Sequence, residues 1–171
     1  MKPTLTHRLF VFTGGWQARA EAARWPGDLL ALLARISIAA TFWRSGQTKV
    51  EGFAVDLVDG VFEWGWPHLA PQAVGLFRDE YALPLLPPEA AALMAAWAEH
   101  LLPIALLLGL ATRLSALGLL GMTAVIQLLV YPGAWPIHGL WAAVLLMLVL
   151  RGPGRCSVDH VLARAVRDHG V

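Results

Sequence analysis

Four apolar segments dominate this 171-residue chain, and their length constrains the fold more than any other feature. They cover residues 29–43, 90–110, 114–131 and 135–150. A helix needs about 20 mainly apolar residues to cross the roughly 30 Å hydrocarbon core of a bilayer. The second and third segments reach that length alone, and the first and fourth reach it with their interfacial ends. The sequence therefore predicts four transmembrane helices.

The composition favours a membrane protein. Hydrophobic residues make up 57% of the chain and charged residues 15%, whereas soluble domains average about half apolar and a quarter charged. The net charge of +1 gives no electrostatic case for a nucleic-acid partner. Cys156 is the single cysteine, which excludes an intramolecular disulfide or a Cys-X-X-Cys relay. We expect an all-α, polytopic four-helix bundle over residues 28–154, between an interfacial segment 1–27 and a cytoplasmic C-terminal helix within 155–171.

Basic residues are unevenly distributed, and their distribution predicts the topology. Lysine and arginine precede the first span, Arg113 lies between the second and third spans, and four arginines follow the fourth. The long segment 50–89 instead carries seven acidic residues against one clear basic residue, Arg78. Because cytoplasmic loops are enriched in lysine and arginine, both termini are predicted to be cytoplasmic and residues 50–89 to lie outside.

The outer segment 50–89 is too strongly patterned to be a simple linker. From Phe53 to Trp64, apolar residues recur every three or four positions while acidic residues fall between them, which predicts a short amphipathic helix. A second helix is predicted over 72–81, before the break at Pro84. We expect these two outer-loop helices to cap the bundle.

Two charged residues in the apolar segments suggest an ion pair. A charge at the bilayer centre costs about 2.5 kcal/mol or more, so charged side chains there face the bundle interior and find partners. Glu99 falls near the middle of the second span, and Arg44 toward the outer end of the first. We predict that Arg44 and Glu99 form a buried pair. Such a pair can act in chemistry, or it can only fix helix register.

Other polar side chains fall within the same segments. Gln127 fits an interhelical hydrogen bond, and His138 fits an interfacial histidine as well as a ligand-binding one. His100 lacks a spaced partner and is a weak signal for metal or haem, so no metal site is predicted. Arg35 lies toward the cytoplasmic side, where it snorkels or caps the bundle.

A series of short motifs occurs between residues 28 and 162. They are FWRSGQTK at 42–49, FRDEYALP at 77–84, AEHLLP at 98–103, GLATR at 109–113, QLLVYP at 127–132, WPIH at 135–138, RGPG at 151–154 and SVDH at 157–160. Taken in this order, they resemble the DoxX family of four-helix bacterial inner-membrane proteins.

The resemblance implies a membrane subunit of a redox or oxidative or metal-stress system, in the bacterial inner membrane, with a protein partner subunit. DoxX-like proteins are similar to the membrane subunit of archaeal thiosulfate:quinone oxidoreductase and to the MauE maturation proteins. The wider superfamily also contains cargo receptors and assembly chaperones without a redox centre. Enzymatic activity and homo-oligomerisation therefore stay open, and a non-catalytic chaperone or scaffold is the alternative.

The favoured hypothesis is a polar pocket in the outer half of the bundle that binds a quinone, as the candidate cofactor, or another small lipophilic molecule. Glu99 and His138 are the catalytic candidates, because both can handle protons. The predicted pocket residues are Arg44, Lys49, Tyr81, Gln127 and Trp135.

Overall fold

The computed structural model describes residues 24–57 and 59–169. Within these residues, four helices are long and apolar enough to cross a membrane, as predicted. The elements in chain order are α1 (Arg24–Gln47), β1 (Val50–Asp56), β2 (Val61–Leu69), α2 (Pro71–Leu76), α3 (Pro88–Leu108), α4 (Thr112–Val125), α5 (Trp135–Arg151) and α6 (Val158–His169). The membrane helices are α1, α3, α4 and α5, and α4 continues as a π-helical segment over Ile126–Val130 that completes its span. The interfacial segment predicted at the N-terminus falls almost wholly outside the described residues.

The four membrane helices pack around one apolar core. The most extensive contacts join α1 to α3 and α4 to α5, and α1 also meets α5, which closes the bundle. The core side chains include Ile38, Phe42, Leu106, Leu119, Leu145 and Leu148. Many large apolar side chains remain exposed on the outside, such as Leu114, Leu128 and Leu150. An apolar exterior of this kind is suited to contact with lipid, where burial between helices gains little hydrophobic energy.

The structure of residues 50–89 corrects one prediction. Instead of an amphipathic helix from Phe53 to Trp64, the chain forms an antiparallel hairpin of β1 and β2, which turns near Gly60 at φ +67°. Phe53 lies opposite Trp64 across the two strands. Most of the apolar residues from Phe53 to Trp64 therefore belong to two paired strands. Their spacing along the chain also matches the period of a helix, which is why the sequence predicted one. A tertiary contact also holds the hairpin, because the indole N–H of Trp43 donates to the carbonyl of Val55 over 2.8 Å.

The second outer helix is present. It consists of α2 followed by a π-helical turn over Phe77–Tyr81. Phe77 is buried against Ala91 and Ala92 at the start of α3. The cap over this end of the bundle is therefore one hairpin and one helix.

The opposite end of the bundle holds the predicted C-terminal helix, α6. The Ser157 hydroxyl caps it by accepting from the backbone N–H of His160 over 3.2 Å. Asp159 joins α6 to the turn between α3 and α4, because its carboxylate accepts from the backbone N–H of Ala111 at 2.8 Å and of Thr112 at 2.9 Å. The start of α6 is thus fixed at this end of the membrane domain.

The turn between α3 and α4 requires glycine at Gly109. This residue ends α3 at φ +70°, a conformation that L side chains rarely adopt. A Cβ there would lie 2.0 Å from Nη1 of Arg35. Arg35 itself is fully buried and donates to the carbonyl of Cys156 over 2.5 Å. The arginine thus caps the bundle at this end, one of the two roles expected for it.

Candidate functional site

A buried ion pair lies in the half of the bundle beneath the hairpin. Nζ of Lys49 is 2.6 Å from Oε2 of Glu99, and the two residues are only 5% and 3% exposed. Lys49 also donates to the carbonyl of Ser45 at 3.2 Å and to its hydroxyl at 3.1 Å. The same hydroxyl also interacts with the Glu99 carboxylate. The two charges are therefore compensated within one compact cluster.

The predicted Arg44–Glu99 pair is wrong. Arg44 has an exposed side chain, 3.7 Å from a carboxylate oxygen of Asp56 and 3.6 Å from one of Asp59. It lies two residues, or about 200° around the helix, from buried Phe42, so it faces away from the core. Lys49 follows the end of α1, where the turn bends the chain back and carries its side chain into the bundle.

His100 follows Glu99 in the chain but belongs to a second hydrogen-bonded cluster. Its Nε2 is 2.8 Å from Nε2 of Gln47, and its Nδ1 is 2.7 Å from the carbonyl oxygen of Ala96. Because that carbonyl only accepts, Nδ1 carries the proton and Nε2 accepts from Gln47. The Gln47 amide oxygen in turn accepts from the backbone N–H of Val55 over 2.7 Å. The network links α3, α1 and the hairpin, and it sets a neutral tautomer for His100.

An apolar groove of about 480 Å³ runs between α1, α3 and the hairpin. One helical stripe of α3 forms its floor, and Trp43 with residues of the two strands forms its wall. The lining residues are Trp43, Val50, Phe53, Pro67, His68, Leu69, Leu93, Ala96, Trp97, His100 and Ile104. The groove therefore combines an aromatic and aliphatic lining with two histidines.

Aromatic rings beside this groove form a row of edge-to-face contacts. The ring of Trp43 meets that of His100 edge-on at 5.0 Å and that of Phe53 at 6.4 Å, and Phe53 meets Trp64 at 5.9 Å. Edge-to-face pairs at such distances are stabilising beyond their buried area. Gly46 lets the helices approach, because a Cβ there would lie 2.9 Å from the His100 ring. The wall of the groove is therefore held by packing from three elements.

His138 and Gln127 form a third cluster. Nδ1 of His138 is 2.8 Å from the amide oxygen of Gln127, whose nitrogen donates to the carbonyl of Pro132 over 2.6 Å. His138 is 5% exposed, and its ring lies 5.1 Å from that of Trp141. This cluster ties the π-helical segment after α4 to the start of α5 and includes the interhelical bond expected of Gln127.

The two aromatic residues predicted for the pocket lie elsewhere. Tyr81 packs against Phe77 at 4.8 Å and Tyr131 at 5.8 Å. Burial raises the pKa of Tyr81, and a hydrogen bond from Tyr131 to the Glu80 carboxylate raises the pKa of the Tyr131 hydroxyl. Trp135 is 64% exposed on the outside of the bundle.

The predicted pocket residues are thus distributed over separate clusters and not gathered around one cavity. Sequence reasoning gave His100 no place in the pocket and did not single out Gln47. A signal was available in the adjacent polar pair Glu99 and His100, because neighbours on a helix lie about 100° apart and face different surroundings. Across the described ranges, no group of three or more His, Cys, Asp or Glu side chains is arranged to hold a metal ion.

Comparison with known families shows the family to which this chain belongs. A family model, DoxX, matches residues 30–132, which is more than half of the chain. The chain belongs to the DoxX family. No significant match is found among curated proteins or solved structures. In this DoxX protein the matched region contains both the Lys49–Glu99 pair and the whole groove, whereas all of α5 and α6 follow it.

Proposed function

We propose that this DoxX protein is the membrane subunit of a redox or stress-response system and binds a quinone or a similar small lipophilic molecule. The binding site in this proposal is the groove between α1, α3 and the hairpin. The observation that carries the proposal is the groove itself, an apolar space of about 480 Å³ with His100 in its lining. Small-molecule sites are typically concave, mostly apolar spaces of about 300–1,000 Å³ with a few polar groups.

The surroundings of the groove support entry from the bilayer. Leu93, Trp97 and Ile104 line the groove and are 48%, 60% and 43% exposed, so it is open on the lipid-facing side of α3. A quinone has a planar head group and an isoprenoid tail. The aromatic wall suits the head group, and the open side lets the tail remain among the lipid chains.

The histidines supply the polar contacts in this proposal. His100 lies in the floor of the groove, and His68, whose Nε2 is 3.5 Å from Oε2 of Glu51, lies on the hairpin side. In the neutral tautomer of His100, Nε2 is an acceptor, so in this proposal it accepts from a quinol hydroxyl in place of Gln47. Neither catalytic candidate lines the groove, because Glu99 pairs with Lys49 and His138 holds Gln127.

The orientation in the membrane forms part of the same proposal. The bundle end that carries α6 is rich in arginine, and the end that carries the hairpin is rich in acidic residues. By the positive-inside rule, we assign the α6 end to the cytoplasm and the hairpin to the outer face of a bacterial inner membrane.

Quinone binding can be tested on the full chain reconstituted in quinone-free lipid vesicles. Trp43 and Trp97 line the groove, so a short-chain ubiquinone analogue should quench tryptophan fluorescence saturably. The same analogue should raise the melting temperature, since a ligand at 100 times its Kd adds about 2.7 kcal/mol of stability. His100→Leu should weaken the binding at least about tenfold.

His138→Leu is the matched control, because His138 is also a histidine of a membrane helix but does not line the groove. It should leave the Kd of the analogue unchanged even if it lowers the melting temperature. Quenching that never saturates, or equal losses in both histidine variants, would refute the groove as a quinone site.

A non-catalytic scaffold is the second candidate, and a specific observation favours it. The hairpin exposes Trp64 at 79% and Trp66 at 88%, a surface that a partner protein can cover. A scaffold predicts that Trp64→Ser with Trp66→Ser releases a co-purifying protein, while quinone analogues bind neither wild type nor variant. The quinone proposal predicts that the same double variant still binds the analogue.

A further inference from the structure

The apolar face of α6 is not covered by the bundle. Its apolar residues recur three or four positions apart and form one stripe along the helix. The large ones, which are 37–72% exposed, are Val158, Val161, Leu162 and Val166. Arg164 and Arg167 lie on the opposite side of the helix. In this arrangement α6 resembles helices that lie in a membrane interface, with apolar residues on one face and basic residues on the other.

The position of α6 brings this stripe to the membrane surface. The last membrane helix, α5, ends at Arg151, and α6 begins at Val158 after only six residues. In addition, the backbone N–H of Asp159 donates to the carbonyl of Gly109 over 2.9 Å. Gly109 follows directly after the membrane helix α3. The start of α6 is therefore held at the level where the membrane helices leave the hydrocarbon core.

A basic cleft of about 870 Å³ accompanies the helix between α6, the end of α5 and the start of α1. Its charged and titratable lining residues are Arg151, Arg155, Arg164, Arg167, His160, Asp28, Asp159 and Asp168. Two of the three aspartates are already engaged. Asp28 accepts from the backbone N–H of Arg155 over 2.9 Å, and Asp159 accepts from the turn before α4. The Arg155 side chain also lies 3.9 Å from the Asp28 carboxylate. With four arginines against three aspartates, the cleft carries a formal excess of one positive charge.

We propose that α6 lies in the interface of the adjacent lipid leaflet, with its apolar stripe among the acyl chains and the arginines of the cleft bound to anionic phospholipid phosphates. Charge complementarity selects the occupant, because an apolar stripe beside a basic cleft matches a surface of acyl chains beneath phosphates. A free phosphate anion would explain the arginines but not the exposed apolar stripe. The inference is independent of the ligand in the groove.

The test uses the full chain with an environment-sensitive dye on one cysteine. In the Cys156→Ser background, Leu162→Cys places the dye on the apolar stripe, and Ala163→Cys places it about 100° around the same helix. Both positions are exposed. The labelled proteins are reconstituted in vesicles of phosphatidylcholine alone or with 30% phosphatidylglycerol in both leaflets. Spin-labelled lipids added to either composition then quench the dye where it enters the bilayer.

We expect the dye at 162 to shift its emission to the blue and to be quenched by the spin-labelled lipids, more strongly in the anionic vesicles, while the dye at 163 stays aqueous. Arg164→Gln and Arg167→Gln should each lower the equilibrium constant for membrane binding of α6 by about fivefold. Added salt should weaken the binding in the same direction. Arg78→Gln, on the outer segment, is the matched control and should change nothing.

Three results would overturn the proposal. One is an aqueous signal at 162 in both vesicle compositions. Another is equal quenching with and without phosphatidylglycerol, which would show that the arginines do not select anionic phospholipid. The last is a blue-shifted signal at 162 that the spin-labelled lipids of the vesicles fail to quench, because another part of the protein would then cover the stripe. Unchanged melting temperatures verify that each variant is folded.

Discussion

The buried pair of Lys49 and Glu99 gives the sharpest prediction about stability. Removing one partner of a buried ion pair costs about 3–5 kcal/mol, because the remaining charge is left uncompensated. The two single variants should nevertheless differ. In Glu99→Ala, Lys49 retains two acceptors on Ser45, at 3.2 and 3.1 Å. In Lys49→Ala, the carboxylate retains the Ser45 hydroxyl alone among these contacts. We therefore expect Lys49→Ala to be near the upper end of that range and Glu99→Ala near the lower end.

The assay is reversible unfolding in mixed micelles with increasing SDS, followed by tryptophan fluorescence. A double-mutant cycle isolates the coupling between the two side chains, and the double variant should lose less stability than the sum of the single losses. Arg44→Ala is the control, since its side chain is 60% exposed and its carboxylate contacts are 3.6 Å or longer. Exposed pairs of this kind contribute about 1 kcal/mol or less. Additive losses for Lys49 and Glu99, or an Arg44 loss as large as that of Lys49, would refute this account of the pair.

Three further predictions concern the two ends of the bundle. Gly109→Ala should destabilise the protein by at least about 2 kcal/mol, because it combines a positive φ with a clash against Arg35. Gly121→Ala, which meets nothing within 4 Å, should be neutral or slightly stabilising in the same unfolding assay. Burial opposes the charged form of Asp159, but hydrogen bonds from the turn before α4 outweigh it and hold its pKa below the usual value. Its stabilisation is therefore complete above the unfolded-state pKa of about 4 and is lost as pH falls through the lower folded-state value. Asp159→Asn should lower stability by about 1 kcal/mol at pH 7, and the difference from wild type should shrink below pH 4. For the topology, a cysteine at Asp59 should react with a membrane-impermeant maleimide in intact spheroplasts, and labelling only after lysis would reverse the proposed orientation.

Part of the candidate site could be predicted because burying charge in lipid is costly. Because of that cost, the sequence predicted that Glu99 is buried in an ion pair with a cationic side chain. The identity of the partner depended on chain geometry beyond α1, since the turn after Gln47 brings Lys49 inward while Arg44 faces outward. Likewise, the apolar spacing from Phe53 to Trp64 fits a helix as well as a pair of strands. Cross-strand packing and hydrogen bonds to α1 select the hairpin.

The sequence by itself determined the four membrane helices, the membership of the DoxX family and the presence of a capped C-terminal helix. Each follows from a local or linear property: the length of an apolar run, an ordered series of motifs, or a capping residue before an amphipathic segment. Only the tertiary structure decided that Lys49 partners Glu99, that His100 faces a groove, and that α6 leaves its apolar stripe exposed. These features depend on which faces of distant segments meet, and side-chain spacing along one chain does not record those contacts.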